Sequence, residues 1–151
     1  MNAADEWLTN AKKIVDSIGK TQMEKIEKAA EAIAESIVTG HVCYLFGVGH
    51  SHMAVEETFP RYGGIVGFYP IIELPLSFFT HITGDMGIGQ FSFLERTEGY
   101  GRKILENYAL DQKDTMIVYS HSGINQVIMD VALGAKEKGV TLIGVTSLAH
   151  S

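Results

Sequence analysis

Two apolar segments that lead directly into loops of glycine and serine limit the folds open to this chain. Residues 42–46 read Val-Cys-Tyr-Leu-Phe, and residues 115–119 read Thr-Met-Ile-Val-Tyr. Neither segment alternates apolar with polar residues, which is typical of strands covered on both faces of a parallel sheet. Helical spacing follows each segment, so the sequence predicts an α/β fold, a parallel doubly wound (flavodoxin-like) sheet with two leading helices.

The other elements follow from apolar spacing and from turn residues. Apolar residues three or four apart predict two helices before the first strand, the first ended by Gly19 and the second by Gly40. Residues 21–24 read Thr-Gln-Met-Glu, which predicts a capping box at the start of the second helix. The further predicted elements are a strand over 65–72, a short helix at Pro75, a glycine-rich lid or connector over 84–90, helices over 92–108 and 125–138, and a fourth strand over 140–145.

These elements divide the chain into a helical hairpin over 1–40 and an α/β domain over 41–151. The hairpin either packs on the sheet of the same domain or forms a contact between subunits, since periodicity does not distinguish the two. A fourth buried strand normally leads into a covering helix, yet Ser151 is the last residue. We therefore expect an incomplete domain, cut short after the fourth strand, that exposes apolar surface and forms a homodimer or larger homo-oligomer.

Length, composition and charge exclude several classes of protein. The chain has 151 residues, of which 46% are hydrophobic and 20% charged, as in a soluble protein of one domain. Its apolar runs are shorter than the roughly 18 residues of a membrane helix, and its first residues lack a secretory signal. Cys43 is the only cysteine, so the cytoplasm is the expected compartment. The net charge of -6 argues against a nucleic-acid surface but not against a local phosphate site.

The loop after residues 115–119 combines hydroxyl groups with a glycine at the predicted start of a helix. Ser120, Ser122 and Asn125 carry hydrogen-bonding side chains, and Gly123 lets the backbone approach a ligand closely. A helix N-terminus attracts anions through its unpaired N–H groups and its dipole. Ser and Asn are also ordinary helix caps, but one hydroxyl is enough for a cap. The pattern therefore favours a site for an anion such as a phosphate monoester.

The loop after the first strand reads Gly-Val-Gly-His-Ser over residues 47–51. A dinucleotide fingerprint requires a third glycine, and His52 stands in its place, so no nucleotide cofactor is expected. His50, His52 and His121 lie in the two loops and, with carboxylates nearby, are an alternative metal site. Loop histidines more often donate to phosphate or bind water, and we therefore expect no metal.

The pattern Ser-x-Ser-Gly-x-Asn over residues 120–125 resembles the second phosphate-binding loop of sugar isomerase (SIS) domains, and Gly-x-Gly-x-Ser over 47–51 resembles the first. The order of Gly-His-Ser-His-Met, Glu-Gly-Tyr and Thr-Ser-Leu is similar to that in small bacterial SIS proteins of the phosphosugar isomerase type. The resemblance covers nearly the whole chain. Most of the family has Thr or Ser where this chain has Asn125, and both kinds of side chain form hydrogen bonds.

The resemblance implies that the chain binds a phosphorylated sugar and catalyses aldose–ketose isomerisation through an enediol. The alternative is a non-catalytic module that senses sugar phosphates, since such a module shares the same phosphate loop. No cofactor, nucleic acid or membrane is implied as a partner. The implied substrate-binding residues are Gly47, Gly49, His50, Ser51, Ser120, His121, Ser122, Gly123 and Asn125.

An enediol mechanism requires a base that moves a proton between adjacent carbons. In phosphoheptose isomerases, which are related SIS enzymes, a Glu on the helix after the first loop takes this part, and Glu57 lies earlier on the corresponding helix of this chain. Glu98 falls on the apolar face of the helix predicted over 92–108, whereas Glu95 and Arg102 fall toward solvent. Glu57 and Glu98 are therefore the predicted catalytic residues, and a structural ion pair is the alternative for each.

Overall fold

The computed structural model describes residues 2–59, 61–78 and 87–150. Its helices are α1 (Ala3–Thr21), α2 (Met23–Val38), α3 (Met53–Thr58), α4 (Leu74–Ser77), α5 (Gly87–Leu94), α6 (Tyr100–Leu105) and α7 (Gln126–Glu137). Its strands are β1 (Cys43–Gly47), β2 (Phe68–Pro70), β3 (Thr115–Tyr119) and β4 (Thr141–Val145), and a 3₁₀ turn over Gly49–His52 precedes α3. Within these ranges, no helix has both the length and the apolar character needed to span a membrane.

The four strands form one parallel sheet in the order β2-β1-β3-β4. Apolar residues make up most of β1 and β3, which suits the centre of a sheet that is covered on both faces. β1 pairs with β3 along its whole length, from Cys43 opposite Thr115 to Gly47 opposite Tyr119. The predicted parallel α/β fold is therefore confirmed, and the carboxyl ends of β1 and β3 lie side by side.

Side chains of the central strands alternate between apolar cores on the two faces of the sheet. On one face, Phe46 and Val118 belong to the core that includes residues of α6 and α7. On the other face, Cys43 and Leu45 pack with Val55 of α3 and with Ile33 of α2. Helices thus cover both faces of the central strands, as a doubly wound sheet requires.

The two leading helices make different contacts. α2 lies against the sheet, where Ile33 packs on Cys43 and Leu45 and the Ser36 hydroxyl donates to the Val42 carbonyl oxygen at 3.2 Å. None of the residues of α1 is buried. α2 therefore packs on the sheet, whereas the apolar face of α1 is exposed.

The junction of α1 and α2 differs from its sequence prediction. α1 continues through Gly19 to Thr21, although glycine inside a helix costs about 0.5–1 kcal/mol relative to alanine. The Thr21 hydroxyl donates to the Ser17 carbonyl oxygen at 2.8 Å and no side chain caps α2, so the capping box predicted there is wrong. A capping box is present instead at Asn2 and Asp5, where α1 begins.

The segment predicted as one helix over 92–108 forms two short helices, and that prediction is wrong. α5 ends at Leu94, and Gly99, with φ +80°, precedes α6 in a backbone conformation that breaks the helical path. α6 lies very close to α7, because a Cβ added to Gly101 falls 2.4 Å from the Val127 carbonyl oxygen. The break changes which side chains face the core after Leu94.

Three other segments differ from the predictions. β2 is shorter than the strand predicted over 65–72 and ends at Pro70, although the Ile71 N–H still donates to the Leu45 carbonyl oxygen at 2.8 Å. Of the loop predicted over 84–90, residues 87–90 belong to α5, and residues 84–86 lie outside the described residues. β4 lies at the other edge of the sheet, where its residues are exposed or half-buried, so the predicted burial of this strand is wrong.

Candidate functional site

The two glycine and serine loops leave the sheet at its centre. The first, residues 47–51, follows β1, and the second, residues 120–125, follows β3. β1 and β3 are neighbours at the centre of the sheet. β2 lies on the other side of β1 and β4 lies on the other side of β3, so the chain connections run outward in opposite directions from this pair. In open parallel sheets a crevice forms outside the carboxyl ends of the strands at such a switch point. The structure therefore brings the two predicted loops together in one crevice.

Backbone groups orient the hydroxyls of Ser51 and Ser120 in this crevice. The N–H of His121 donates to Ser51 Oγ at 3.3 Å, which links the two loops directly. The N–H of Gly123 donates to Ser120 Oγ at 2.9 Å. Because each hydroxyl oxygen accepts a hydrogen bond from a backbone N–H, the hydrogen of each hydroxyl can still be donated to a ligand. Two such donors favour an anionic group with several acceptor oxygens.

The crevice extends into two cavities that share His50, Ser51, Ser120 and His121. One cavity, of about 320 Å³, is also lined by Tyr119, Thr146 and Ser147. The other, of about 310 Å³, is also lined by Phe91, Glu95 and Asn125. The shared residues are therefore within reach of a ligand in either half of the crevice.

The N-terminus of α7 lies at the second loop. Asn125 occupies the N-cap position, but its side chain forms no cap and donates instead to Glu95 Oε2 at 2.5 Å. The Val127 N–H donates to the Glu95 carbonyl oxygen at 3.2 Å, so one N–H group of the first turn is already occupied. The helix dipole still places positive potential at the loop. An ordinary capping role therefore does not account for the Asn125 side chain.

The other predicted binding residues also lie in or beside the crevice. Gly47 is the buried last residue of β1, and Gly49 lines the cavity that contains Glu95. Ser122 and Gly123 belong to the turn between β3 and α7, and Gly123 has φ +72°, which favours glycine. The structure thus gathers the residues predicted to bind substrate at one end of the sheet.

Glu95 is a candidate that the sequence pattern missed. It is 8% exposed, and burial raises the pKa of its carboxyl group, although Arg96 and the hydrogen bond from Asn125 act in the opposite direction. The prediction of one continuous helix placed Glu95 toward solvent and Glu98 in the core. Both placements are wrong, because Glu95 is buried and Glu98 is exposed. The reason is the break between α5 and α6, which Gly99 could have signalled in the sequence.

Glu57 lies on α3 and forms an ion pair with Arg61, and both side chains are largely exposed. This is the ion pair that stood as the structural alternative to a catalytic role. Neither Glu57 nor Glu98 is among the residues that line the two cavities. Their catalytic roles stay predictions.

The histidines of the first loop take different positions. His50 lines both cavities, whereas His52 is buried with its ring 5.6 Å from that of Phe78. In the second loop, the ring of His121 lies 4.1 Å from that of His150. In the part of the chain that the structure describes, no three His, Cys, Asp or Glu residues are grouped to hold a metal ion. Of the two histidines of the first loop, His50 therefore faces the crevice, whereas His52 is enclosed in the interior.

Comparison with known sequences identifies relatives over nearly the whole chain. The SIS domain model matches residues 6–147. A UPF0309 protein of Halalkalibacterium halodurans is 39% identical over 145 residues, which are 96% of this chain and 56% of that protein. A UPF0309 protein of Listeria innocua is 37% identical over 139 residues, which are 92% of this chain and 54% of that protein. The chain spans little more than half the length of these curated relatives.

Two solved structures share the fold. A phosphoheptose isomerase of Neisseria gonorrhoeae superposes with a TM-score of 0.72 at 16% identity, over 95% of this chain and 73% of that chain. A phosphoheptose isomerase of Francisella tularensis superposes with a TM-score of 0.67 at 14% identity, over 97% of this chain and 76% of that chain. Such low identities establish the fold alone. Because the family model matches nearly the whole sequence, this chain belongs to the SIS domain family.

Proposed function

We propose that the crevice binds a phosphorylated sugar, with the phosphate group on the loop over 120–125. The observation that carries this proposal is the pair of backbone-oriented hydroxyls, Ser51 and Ser120, beside the N-terminus of α7. Phosphate oxygens accept from hydroxyl and N–H groups, and a helix N-terminus favours negative charge. Ser120 is mostly buried, so a hydrogen bond to its hydroxyl is shielded from water.

The class of ligand has support from family membership and from the shape of the crevice. The SIS family and the names of the two structural neighbours, both phosphoheptose isomerases, favour a phosphosugar. Cavities of about 310 and 320 Å³ are at the lower end of the range for small-molecule sites. Hydroxyl, amide and carboxylate groups line them, and these groups form hydrogen bonds with sugar hydroxyls.

The proposed reaction is aldose–ketose isomerisation through an enediol. This reaction moves one proton between adjacent carbons and needs a base, with no net oxidation. A non-catalytic sensor of sugar phosphates is the second candidate, and the exposure of Glu57 and Glu98 favours it. Because the relatives are longer than this chain, the activity of the whole protein is part of the proposal.

Isothermal titration calorimetry with sugar phosphates and inorganic phosphate tests the binding site. We expect Ser120→Ala combined with Ser122→Ala to weaken sugar-phosphate binding more than tenfold, because hydrogen bonds to a charged group contribute about 1.5–3 kcal/mol each. Ser17→Ala, on exposed α1, is the matched control and leaves affinity unchanged. Unchanged affinity in a folded double mutant would contradict the assignment of this loop to phosphate.

The proposal also includes a cytoplasmic location and self-association. Cys43 is a free, buried cysteine and the only one in the chain, which suits a reducing compartment. The exposed apolar face of α1 is the proposed contact in a homo-oligomer.

A further inference from the structure

Three carboxylates are buried among the described residues, and they lie in different places. Asp114 precedes β3 at the opposite end of the sheet, where it accepts from the N–H groups of Val42 and Asp111 at 3.0 and 2.7 Å. Asp130 lies on α7 and lines neither cavity of the crevice. Glu95 lines the same cavity as the hydroxyls assigned to phosphate. It is therefore the buried acidic group that is placed to meet a bound sugar.

Glu95 is held in this cavity by its backbone and by its side chain. Its carbonyl oxygen accepts from the Val127 N–H at 3.2 Å, which already joins the end of α5 to the start of α7. The Asn125 amide in addition donates to Oε2 at 2.5 Å. Oε1 lies 4.0 Å from the guanidinium of Arg96, a side chain that is mostly exposed. The backbone hydrogen bond already joins the two helices, so the Asn125 amide is not needed for that purpose. Its hydrogen bond instead fixes the direction of the Glu95 carboxylate.

We propose that Glu95 is the catalytic residue that moves the proton during isomerisation of a phosphorylated aldose, and that Asn125 positions its carboxylate. This inference rests on the proposed sugar-phosphate function. A sugar in the cavity lined by Ser51, Ser120 and Glu95 has its phosphate at the hydroxyls and its carbon chain toward Glu95.

The proton transfer balances without an oxidant. The carboxylate removes the proton from the carbon next to the carbonyl, and the electron pair of that C–H bond forms the carbon–carbon double bond of the enediol. The carbonyl π pair moves onto its oxygen, which takes a proton from water. Protonated Glu95 then returns its proton to the former carbonyl carbon, while the hydroxyl on the neighbouring carbon gives its proton to water and that carbon becomes the ketone carbon. Burial raises the pKa of Glu95, which suits a group that must both accept and release a proton.

Deuterium exchange at the second carbon of an aldose phosphate, followed by NMR in deuterated water, tests the proposal. The probes are pentose, hexose, heptose and amino-sugar phosphates, and calorimetry measures their binding. We expect Glu95→Gln, which keeps an oxygen for Asn125, to slow exchange at least 100-fold while the dissociation constant changes less than about threefold. Glu106→Gln removes the charge of an exposed glutamate paired with Lys103 and leaves both quantities unchanged.

The outcomes separate this inference from the proposed function. Exchange that survives Glu95→Gln, or that is lost in Glu57→Gln or Glu98→Gln instead, overturns Glu95 as the base. Binding of a sugar phosphate by the unaltered chain with neither exchange nor conversion to the ketose also overturns it, yet leaves the proposed binding site standing. If none of the probes binds, both the inference and the proposed function are wrong.

The positioning role of Asn125 has its own readout. Its hydrogen bond lowers the pKa of Glu95, so Asn125→Ala raises that pKa. In a plot of exchange rate against pH, the acid limb, where the rate falls as Glu95 is protonated, therefore moves to higher pH. Asn125→Thr keeps a hydroxyl donor, and we expect it to move the limb back toward its original position. A purely structural role lowers stability without moving the limb, so a limb that does not move in Asn125→Ala overturns the positioning role.

Discussion

At the scale of single residues, the buried ring of His52 stands out chemically. Neither ring nitrogen has a hydrogen bond of normal geometry among the described residues, although the Gly47 backbone is near enough to favour a proton there. Burial lowers the pKa of His52, and Glu56, at 4.0 Å, offsets only part of that effect. Below about pH 6.5 the unfolded chain therefore takes up a proton that the folded chain resists. The free energy of unfolding consequently decreases as the pH is lowered.

The first prediction at this scale concerns that pH dependence. We expect His52→Leu to lose less of its free energy of unfolding between pH 7.5 and pH 5.5 than the unaltered chain loses, because its buried side chain cannot be protonated. Urea denaturation at several pH values measures the difference. Equal m-values for the two chains are the control that they expose the same surface. Identical pH dependence would show that His52 does not resist protonation.

Gly101 carries the second residue-scale prediction. An added Cβ falls 2.4 Å from the Val127 carbonyl oxygen and 2.6 Å from the Cβ of Asp130, so α6 and α7 must separate to admit it. We expect Gly101→Ala to lower the free energy of unfolding by about 1–3 kcal/mol. Gly19→Ala is the matched control, because nothing lies within 4 Å of its Cβ in α1, and we expect it to add about 0.5–1 kcal/mol. Urea denaturation distinguishes the two, and a neutral Gly101→Ala contradicts the close packing.

At the scale of elements, α1 is the helix whose sequence and surroundings disagree. Its apolar residues fall on one face, yet Trp7, Ile14 and Val15 are 68%, 62% and 67% exposed. α2 packs the half-buried Ile33 and α3 packs the buried Val55 against the sheet, whereas α1 buries no residue. An amphipathic helix gains most of its stability by covering its apolar face, which is the physical basis for placing self-association there.

Sedimentation velocity tests the role of α1. We expect Ile14→Glu to shift the chain toward monomer, because a charge on the apolar face must lose water on association. Lys13→Glu introduces the same residue on the polar face of α1 and leaves association unchanged. If the two variants sediment alike, α1 is not the contact between copies.

At the scale of the whole molecule, the crevice joins segments that are distant along the chain. The loops after β1 and β3 and the facing ends of α5 and α7 meet there, so a ligand in the crevice binds only the folded state. Such a ligand stabilises the fold by about 2.7 kcal/mol when its concentration is 100 times its dissociation constant.

Thermal unfolding measures this coupling. We expect a sugar phosphate to raise the melting temperature more than inorganic phosphate does at the same concentration, because the sugar adds contacts in the cavities. Ser120→Ala combined with Ser122→Ala should remove the shift for both ligands. Equal shifts for sugar phosphate and inorganic phosphate would mean that the crevice recognises the phosphate group alone.

The sequence by itself determined the centre of the molecule. Unbroken apolar runs followed by glycine and serine specify buried parallel strands and their loops through local chemistry, and neighbouring parallel strands end at the same edge of a sheet. For that reason the sequence places Ser51 and Ser120 at the same edge of the sheet, whereas the strand order that puts β1 beside β3 comes from the structure.

Only the tertiary structure decided which acidic residue enters that crevice. Periodicity assumes an unbroken helix, and the break before Gly99 exposes Glu98 and leaves Glu95 buried against Asn125, a partner 30 positions away. The exposure of α1 and of β4 likewise depends on which elements lie beside them, because an apolar pattern records a preference for burial and not the presence of a neighbour.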